Sequence, residues 1–209
     1  MDIIKSLQWR YATKKFDASE KLNADQINTL KEAFNLTATS FGLQPIKLIV
    51  IENKELRETL VPHAYDQRQI ADASHLLILC IQKNISVEDV ENYFHLVKNI
   101  RNTPDEILNP FKAYLIDTVS KNTKEELQQA AKSQAYIALG NLLTVCATLQ
   151  IDSCPMEGFM PEKFDEVLEL EKLNLQSVLL LPVGKRAEDD YMASLKKVRK
   201  PIENMVIEL

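Results

Sequence analysis

Two basic segments, one near each end of the chain, carry the residues best suited to chemistry. The first reads Arg10-Tyr11-Ala12-Thr13-Lys14-Lys15-Phe16-Asp17 and the second Lys196-Lys197-Val198-Arg199-Lys200-Pro201. A guanidinium presents a planar fork of donors to a phosphate, and an ammonium supplies a point charge. The chain contains neither G-x-G-x-x-G nor G-x-x-x-x-G-K-[ST], so a nucleotide phosphate would have to be held by side chains. Arg10, Lys197 and Arg199 are the set available for that. Basic runs also serve as solvated loops and tails, and residue type alone does not separate the two readings. A third segment, Pro155-Met156-Glu157-Gly158-Phe159, is a turn that follows the short strand-like stretch Ile151 to Pro155. Only 4 of the 209 residues are glycine, so each marks a place where a side chain would not fit. Gly158 suggests a backbone that meets a flat ligand closely, with a plain strand-to-helix turn as the alternative.

Other chemistries find little support. His63, His75 and His95 form no ligand motif, and Cys80, Cys146 and Cys154 sit in apolar segments without C-x-x-C spacing. Buried reduced thiols in a cytoplasmic protein and no metal site are expected. His75 reads as a capping or core residue. The net charge of −5 disfavours a nucleic-acid partner. The first residues, MDIIKSLQWRYATKKF, read as an amphipathic helix with Ile3, Ile4 and Leu7 on one face rather than as a signal peptide. With 45 % hydrophobic and 26 % charged residues, the chain has the composition of a soluble globule large enough to bury most of a core.

The elements that must position these segments alternate between helix and strand. Asn23 and Gln26 open a helix by mutual capping, with Ile27, Leu30 and Phe34 as its stripe. A loop, 37–45, leads into a strand over 46–52. A short helix, 55–61, precedes Asp66-Gln67-Arg68-Gln69, the segment Asp72-Ala73-Ser74-His75 and a strand over 76–82. Ser86 caps a helix bearing Val90, Tyr93, Phe94 and Val97. Thr103-Pro104-Asp105-Glu106 starts another, with Pro104 at its first position, Pro110 interrupting it and 111–120 as a further piece. Pro161 begins a helix with Phe164, Val167 and Leu168. The last long strand, 177–184, is an unbroken apolar run that reads as buried on both faces.

The longest helix is predicted to start at Thr123, capped by Glu126, and to run to Gln150, roughly 40 Å at 1.5 Å per residue. From Ala135 to Leu149 its apolar residues fall on all faces, the pattern of a helix buried all round. The run is too short and interrupted to span a bilayer, which needs ~20 residues. A chain of 23.9 kDa has difficulty enclosing such a rod alone. Burial by a second copy is expected, with the core of a monomer as the alternative. The apolar tail, Ile202 to Leu209, would then lie across the partner.

The segments together resemble the FMN-dependent nitroreductase family. Arg10, Thr13, Lys14, Phe16 and Asp17 match its R-x-S-T-K-x-F-D signature, with Ala12 in place of the serine. Gln44-Pro45 matches its Q-P pair, D-A-S-H its pre-strand segment, Gln134 and Tyr136 a frequent Q-x-Y, Pro155 to Phe159 its P-x-E-G-F turn, and Lys197, Arg199 and Pro201 its K-x-R-x-P. The resemblance implies an α+β fold: one domain over 1–209, a central mostly antiparallel sheet wrapped by helices, and an intertwined homodimer. Residues 86–122 would be a helical excursion over the cofactor that sets substrate choice.

By the same resemblance, FMN is bound by Arg10, Tyr11, Ala12, Lys14, Thr39, Asp66, Pro155, Met156, Glu157, Gly158, Lys197 and Arg199. Phe41 lines the substrate cleft. Lys14 acts electrostatically beside flavin N1 and O2, and the backbone of the 155–159 turn lies along the N5 and O4 edge. Asp66 stands where the family often has asparagine, so it can accept from N3–H but not donate. The activity implied is transfer of hydride from NADH or NADPH through flavin N5 to a nitroaromatic, quinone or similar flat small molecule. The protein supplies no acid or base for the first step. Ene reduction, reductive dehalogenation or FMN binding without turnover remain alternatives, and no nucleic acid or membrane is implied.

Overall fold

Four strands form one sheet in the order β1-β2-β4-β3, with every pairing antiparallel: β1 (Ile46–Ile51), β2 (His75–Gln82), β3 (Asp152–Ser153) and β4 (Leu175–Gly184). This computed structural model describes residues 2–209. The central strands β2 and β4 are apolar on both faces, as their sequences HLLILCIQ and LQSVLLLPVG require. Alternate residues go to opposite sides. Leu76, Ile78 and Cys80 face a layer that includes Leu60, Ile70, Phe159 and Phe164. Leu77, Leu79 and Ile81 face Ala135, Ala138, Leu142 and Cys146.

The second layer is α7 (Lys124–Thr148), 25 residues that begin at a capping box between Thr123 and Glu126. Its Ala131, Ala135, Ala138 and Leu142 pack on the sheet. The opposite face is open in a single chain: Tyr136 is 46 % and Ile137 50 % exposed. The burial all round that the sequence suggests is therefore not achieved within one subunit. Beside α7 lie α1 (Ile3–Trp9), whose Ile3, Ile4 and Leu7 are exposed, and α2 (Ala24–Asn35), which opens with the Asn23–Gln26 capping box.

On the other face, α3 (Lys54–Leu60) and α4 (Gln69–Asp72) are joined by Arg57, a fully buried guanidinium. It donates to the carbonyls of Ile70 (3.0 Å), Ala71 (2.9 Å), Ala73 (2.7 Å) and Glu52 (3.1 Å). Partial negative charge at a helix C-terminus favours a cation there. His75 is a core residue; its Nδ1 lies 2.9 Å from Ser74 Oγ, which accepts from the Leu22 N–H at 2.8 Å.

Two helices stand apart as a pair with their own small core of Val90, Phe94, Leu115 and Val119: α5 (Val87–Arg101) and α6 (Asp105–Lys121). Here the structure corrects two expectations. Pro104 is the cap residue before α6 rather than its first member, and Pro110 does not interrupt it. Pro110 has no N–H to give the Glu106 carbonyl, and Glu106 is exposed, so water can take that place. The strand expected over 151–155 shrinks to the two residues of β3. Then α8 (Pro161–Val167) buries Phe164. Residues 202–209 are exposed beyond a single turn at Ile202–Asn204. Among the described residues no helix is long and apolar enough to cross a membrane, and no cluster suited to a metal ion is present.

Candidate functional site

The first basic segment is stitched into the sheet edge. Thr13 N–H donates to the Ser153 carbonyl at 3.2 Å, and Ala12 pairs with Ser153 in parallel. Asp17 N–H reaches the Lys185 carbonyl at 2.8 Å, and Ala187 N–H reaches that of Lys15 at 2.9 Å. Residues 12–17 therefore run between β3 and the stretch that leaves β4. This positions Arg10 to Lys14 beside the turn that follows β3.

A buried ion pair fixes the start of that segment. Asp152, 5 % exposed, accepts from Arg186 Nε at 2.6 Å and from its backbone N–H at 2.9 Å. The Arg186 guanidinium lies 4.4 Å from the centre of the Trp9 ring and 4.5 Å from that of Tyr11. Cation–π contact with both rings holds the segment on either side of Arg10. Asp190, also buried, accepts from Tyr11 and from the backbone of Lys14 and Lys15. Burial, and then the Asp190 carboxylate, push the Tyr11 phenol up from its ordinary value.

The second basic segment arrives at the same place. Lys197 Nζ donates to the Arg10 carbonyl. Arg10, Lys196, Lys197 and Arg199 share the walls of a cavity of about 480 Å³ with Trp9, Tyr11 and Ala12, and no acidic side chain lines it. Burial and then the neighbouring Arg199 lower the pKa of Arg10; burial, Arg10 and Arg199 lower that of Lys197. Arg10 Nε is buried without a hydrogen-bond partner. Mutually repelling cations with an unused donor make a site for a compact polyanion.

The turn after β3 hangs on β4: Met156 N–H donates to the Leu180 carbonyl at 2.9 Å and Leu180 N–H returns the bond at 3.0 Å. Glu157 and Gly158 beyond it are exposed. Gln67 Nε2 donates to the carbonyls of Gly158 (2.9 Å) and Ala64 (3.1 Å). A Cβ at Gly158 would come within 3.3 Å of that amide, so close packing by Gln67 is what the glycine permits. Tyr65 and Asp66, at φ 53° and 57°, form a left-handed turn beside it. Such a conformation is uncommon without glycine and marks a constrained surface. Partial desolvation raises the Tyr136 phenol on α7, and the negative charge of nearby Glu157 adds to the effect. Burial also raises the Cys154 thiol, opposed by the charges of Lys14 and then Arg10, so both cations lie near the start of the turn.

Thr39 and Phe41 stand elsewhere. Phe41 meets Phe111 and Tyr114 edge-on, with centroids 6.1 and 6.4 Å apart. Ser40 N–H donates to Gln134 Oε1 at 2.7 Å. Gly42, at φ 76°, lies so close to Tyr93 that a Cβ would approach its hydroxyl to 2.8 Å. Thr39 Oγ1 is buried without a partner. Among the described residues no hydrogen bond or ion pair joins 37–45 to 10–15 or 153–158 in one chain. Of the expected site residues, Arg10, Tyr11, Ala12, Lys197 and Arg199 line one cavity, Lys14 follows them in the chain, Asp66 belongs to the left-handed turn beside Gly158, and Thr39 and Phe41 stand apart. Sequence reasoning missed Gln67, Asp152, Arg186 and Asp190. The one sign among them is the position of Arg186, two residues beyond the longest apolar strand.

Comparison with known proteins agrees with this architecture. A sequence model described as the nitroreductase family matches residues 7–185. A Staphylococcus haemolyticus protein, provisionally named an NAD(P)H nitroreductase, is 32 % identical over 213 aligned positions, covering 98 % of this chain and 95 % of that one. A solved structure of a provisionally assigned nitroreductase from Bacillus subtilis superposes with a TM-score of 0.87 at 17 % identity, covering 99 % of this chain and 98 % of the other. Another, from Exiguobacterium sibiricum and solved in complex with FMN, gives 0.84 at 19 % identity and covers 100 % and 98 %.

Proposed function

This chain belongs to the nitroreductase family, and from that premise we propose that it is an FMN-dependent oxidoreductase. It would take reducing equivalents from NADH or NADPH and deliver them to a nitroaromatic, a quinone or a similar flat acceptor. The observation that carries the reading is the acid-free cavity where Arg10, Lys197 and Arg199 meet. The residues fit the cofactor: a phosphate would complete the buried Arg10 donor and relieve the repulsion among the cations. Bound FMN would supply a carrier able to accept hydride from a nicotinamide and pass it on.

The chain's own residues bind and orient. Arg10, Lys197 and Arg199 would neutralise the phosphate, and Tyr11 and Ala12 would form the wall beside it. Lys14 would place a positive charge near the pyrimidine end, where added electron density is stabilised by a cation. The turn Pro155-Met156-Glu157-Gly158, braced by Leu180 and Gln67, would offer a rigid backbone edge. Asp66 would accept one hydrogen bond from the ring.

The separation of Thr39 and Phe41 from this group supports a homodimer in which they reach the cofactor of a second copy. The exposed apolar faces of α1 and α7, with the tail from Ile202, supply the surface such a dimer would bury. Three unpaired, buried cysteines support a reducing, cytoplasmic setting. The test is reconstitution: apoprotein titrated with FMN, then assayed anaerobically with NADH, NADPH and a panel of nitro, quinone and enone acceptors. FMN uptake with oxidation of either nicotinamide supports the reading. Turnover of enones alone would move it to ene reduction, FMN uptake without turnover to a binding protein, and no FMN uptake would refute it.

A further inference from the structure

The two basic segments come from opposite ends of the chain, and one buried carboxylate ties them together. Asp190 is 3 % exposed. Its Oδ2 accepts from the Tyr11 hydroxyl at 3.0 Å, the Lys14 N–H at 2.9 Å and the Lys15 N–H at 3.3 Å. Its Oδ1 accepts from the Met192 N–H at 3.1 Å, inside the turn Tyr191–Ser194 that leads directly to Lys197 and Arg199. The carboxylate itself does not line the cation cavity, whereas Tyr11 and Met192, both bonded to it, do.

We propose that Asp190 is a positioning residue: it holds the Arg10–Lys15 segment against the Met192–Arg199 segment so that both present their cations to one anion. This rests on the reading of the cavity as a phosphate site. Charge alone gives Asp190 the opposite effect. A negative group beside a cationic cavity repels an anion, and removing it should tighten binding. A positioning role predicts that removing it weakens binding, because an amide in its place must turn an NH₂ group toward a backbone N–H on one side or the other. The direction of the change therefore separates the two accounts.

The experiment compares wild-type and Asp190→Asn apoprotein. Inorganic phosphate is titrated and followed by the fluorescence of Trp9, the only tryptophan, which lies in the cavity wall. FMN is titrated in parallel through flavin fluorescence, and far-UV circular dichroism checks that the variant is folded. The proposal expects both ligands to bind about tenfold more weakly to Asp190→Asn, the factor that loss of one or two such bonds represents. Equal or tighter binding by a folded Asp190→Asn, with wild type binding normally, overturns the positioning role alone. A wild type silent to both phosphate and FMN overturns the reading of the cavity, and the proposal with it. Should Asp190→Asn fail to fold, Tyr11→Phe removes one Oδ2 donor and leaves the charge in place. A roughly threefold weakening is then expected, and unchanged binding overturns the proposal.

Discussion

Asp152→Asn tests the frame that holds the site, and the structure sizes its effect. Asp152 is buried to 5 % exposure and takes two side-chain contacts from Arg186, both at 2.6 Å, besides the backbone N–H at 2.9 Å. Asparagine keeps the shape and one acceptor but leaves the guanidinium without its counter-charge. Removing one partner of a buried ion pair costs about 3–5 kcal/mol. The Arg186 side chain is 23 % exposed and keeps its stacking on Trp9 and Tyr11, which argues for the lower end. About 3 kcal/mol corresponds to a fall in Tm of roughly 6–12 °C for a domain of this size. Thermal and urea melts of apoprotein at one fixed concentration measure it. Arg186→Met and the double variant complete a cycle, and the double variant should lose at least ~1 kcal/mol less than the sum of the singles. If Asp152→Asn lies within ~0.5 kcal/mol of wild type, or the two changes simply add, the pair does not hold the Trp9–Tyr11 segment as argued.

Arg57→Met strands three carbonyls at the end of α4 and that of Glu52 after β1, and should cost at least ~3 kcal/mol, with amide exchange rising over residues 64–75; a melt within ~1 kcal/mol of wild type would contradict the clasp. For Asp190, burial alone would raise the carboxyl, but donors from Lys14, Met192, Lys15 and Tyr11 outweigh it and hold it below the usual carboxylate range. The folded protein therefore binds that proton more weakly than the unfolded chain. The stabilisation is present above about pH 4 and is lost as pH falls through the folded value, so Asp190→Asn should flatten the acid limb of stability against pH. Burial pushes the thiols of Cys80 and Cys146 up to about 12 and raises that of Cys154, so iodoacetamide near neutral pH should modify none of the three until the chain unfolds. Prompt labelling of the native protein would show these cysteines to be open to solvent.

What could be read from the sequence was whatever depends on near neighbours. The capping boxes at Asn23–Gln26 and Thr123–Glu126 span three residues and need no tertiary context. The strands around Leu77 and Leu180 follow from continuous apolar runs. The lack of a glycine-rich loop left a phosphate to side-chain cations, and the resemblance to the R-x-S-T-K-x-F-D and K-x-R-x-P patterns pointed to Arg10, Lys197 and Arg199. What could not be read joins distant parts: Lys14 meets Asp190 across 176 positions, and Gln67 meets Gly158 across 91. Asp190 follows two other acidic residues, Glu188 and Asp189, and nothing local marks it as the buried one. Pro110 misled because a proline's effect depends on whether its lost hydrogen bond lies at a wet helix face. The α7 pattern overstated burial because its outer face, Tyr136 and Ile137, has no partner within one chain.

The central claim is that cations from both ends of the chain form one phosphate site for FMN. Its most direct measurement is the visible spectrum of wild type and Arg199→Ala after incubation with excess FMN and gel filtration, before and after anaerobic addition of NADH or NADPH. The account predicts a wild type that retains flavin close to one per chain and is bleached by a nicotinamide, and a folded Arg199→Ala that elutes colourless. A wild type that retains no flavin, or an Arg199→Ala that retains as much as wild type, would contradict it.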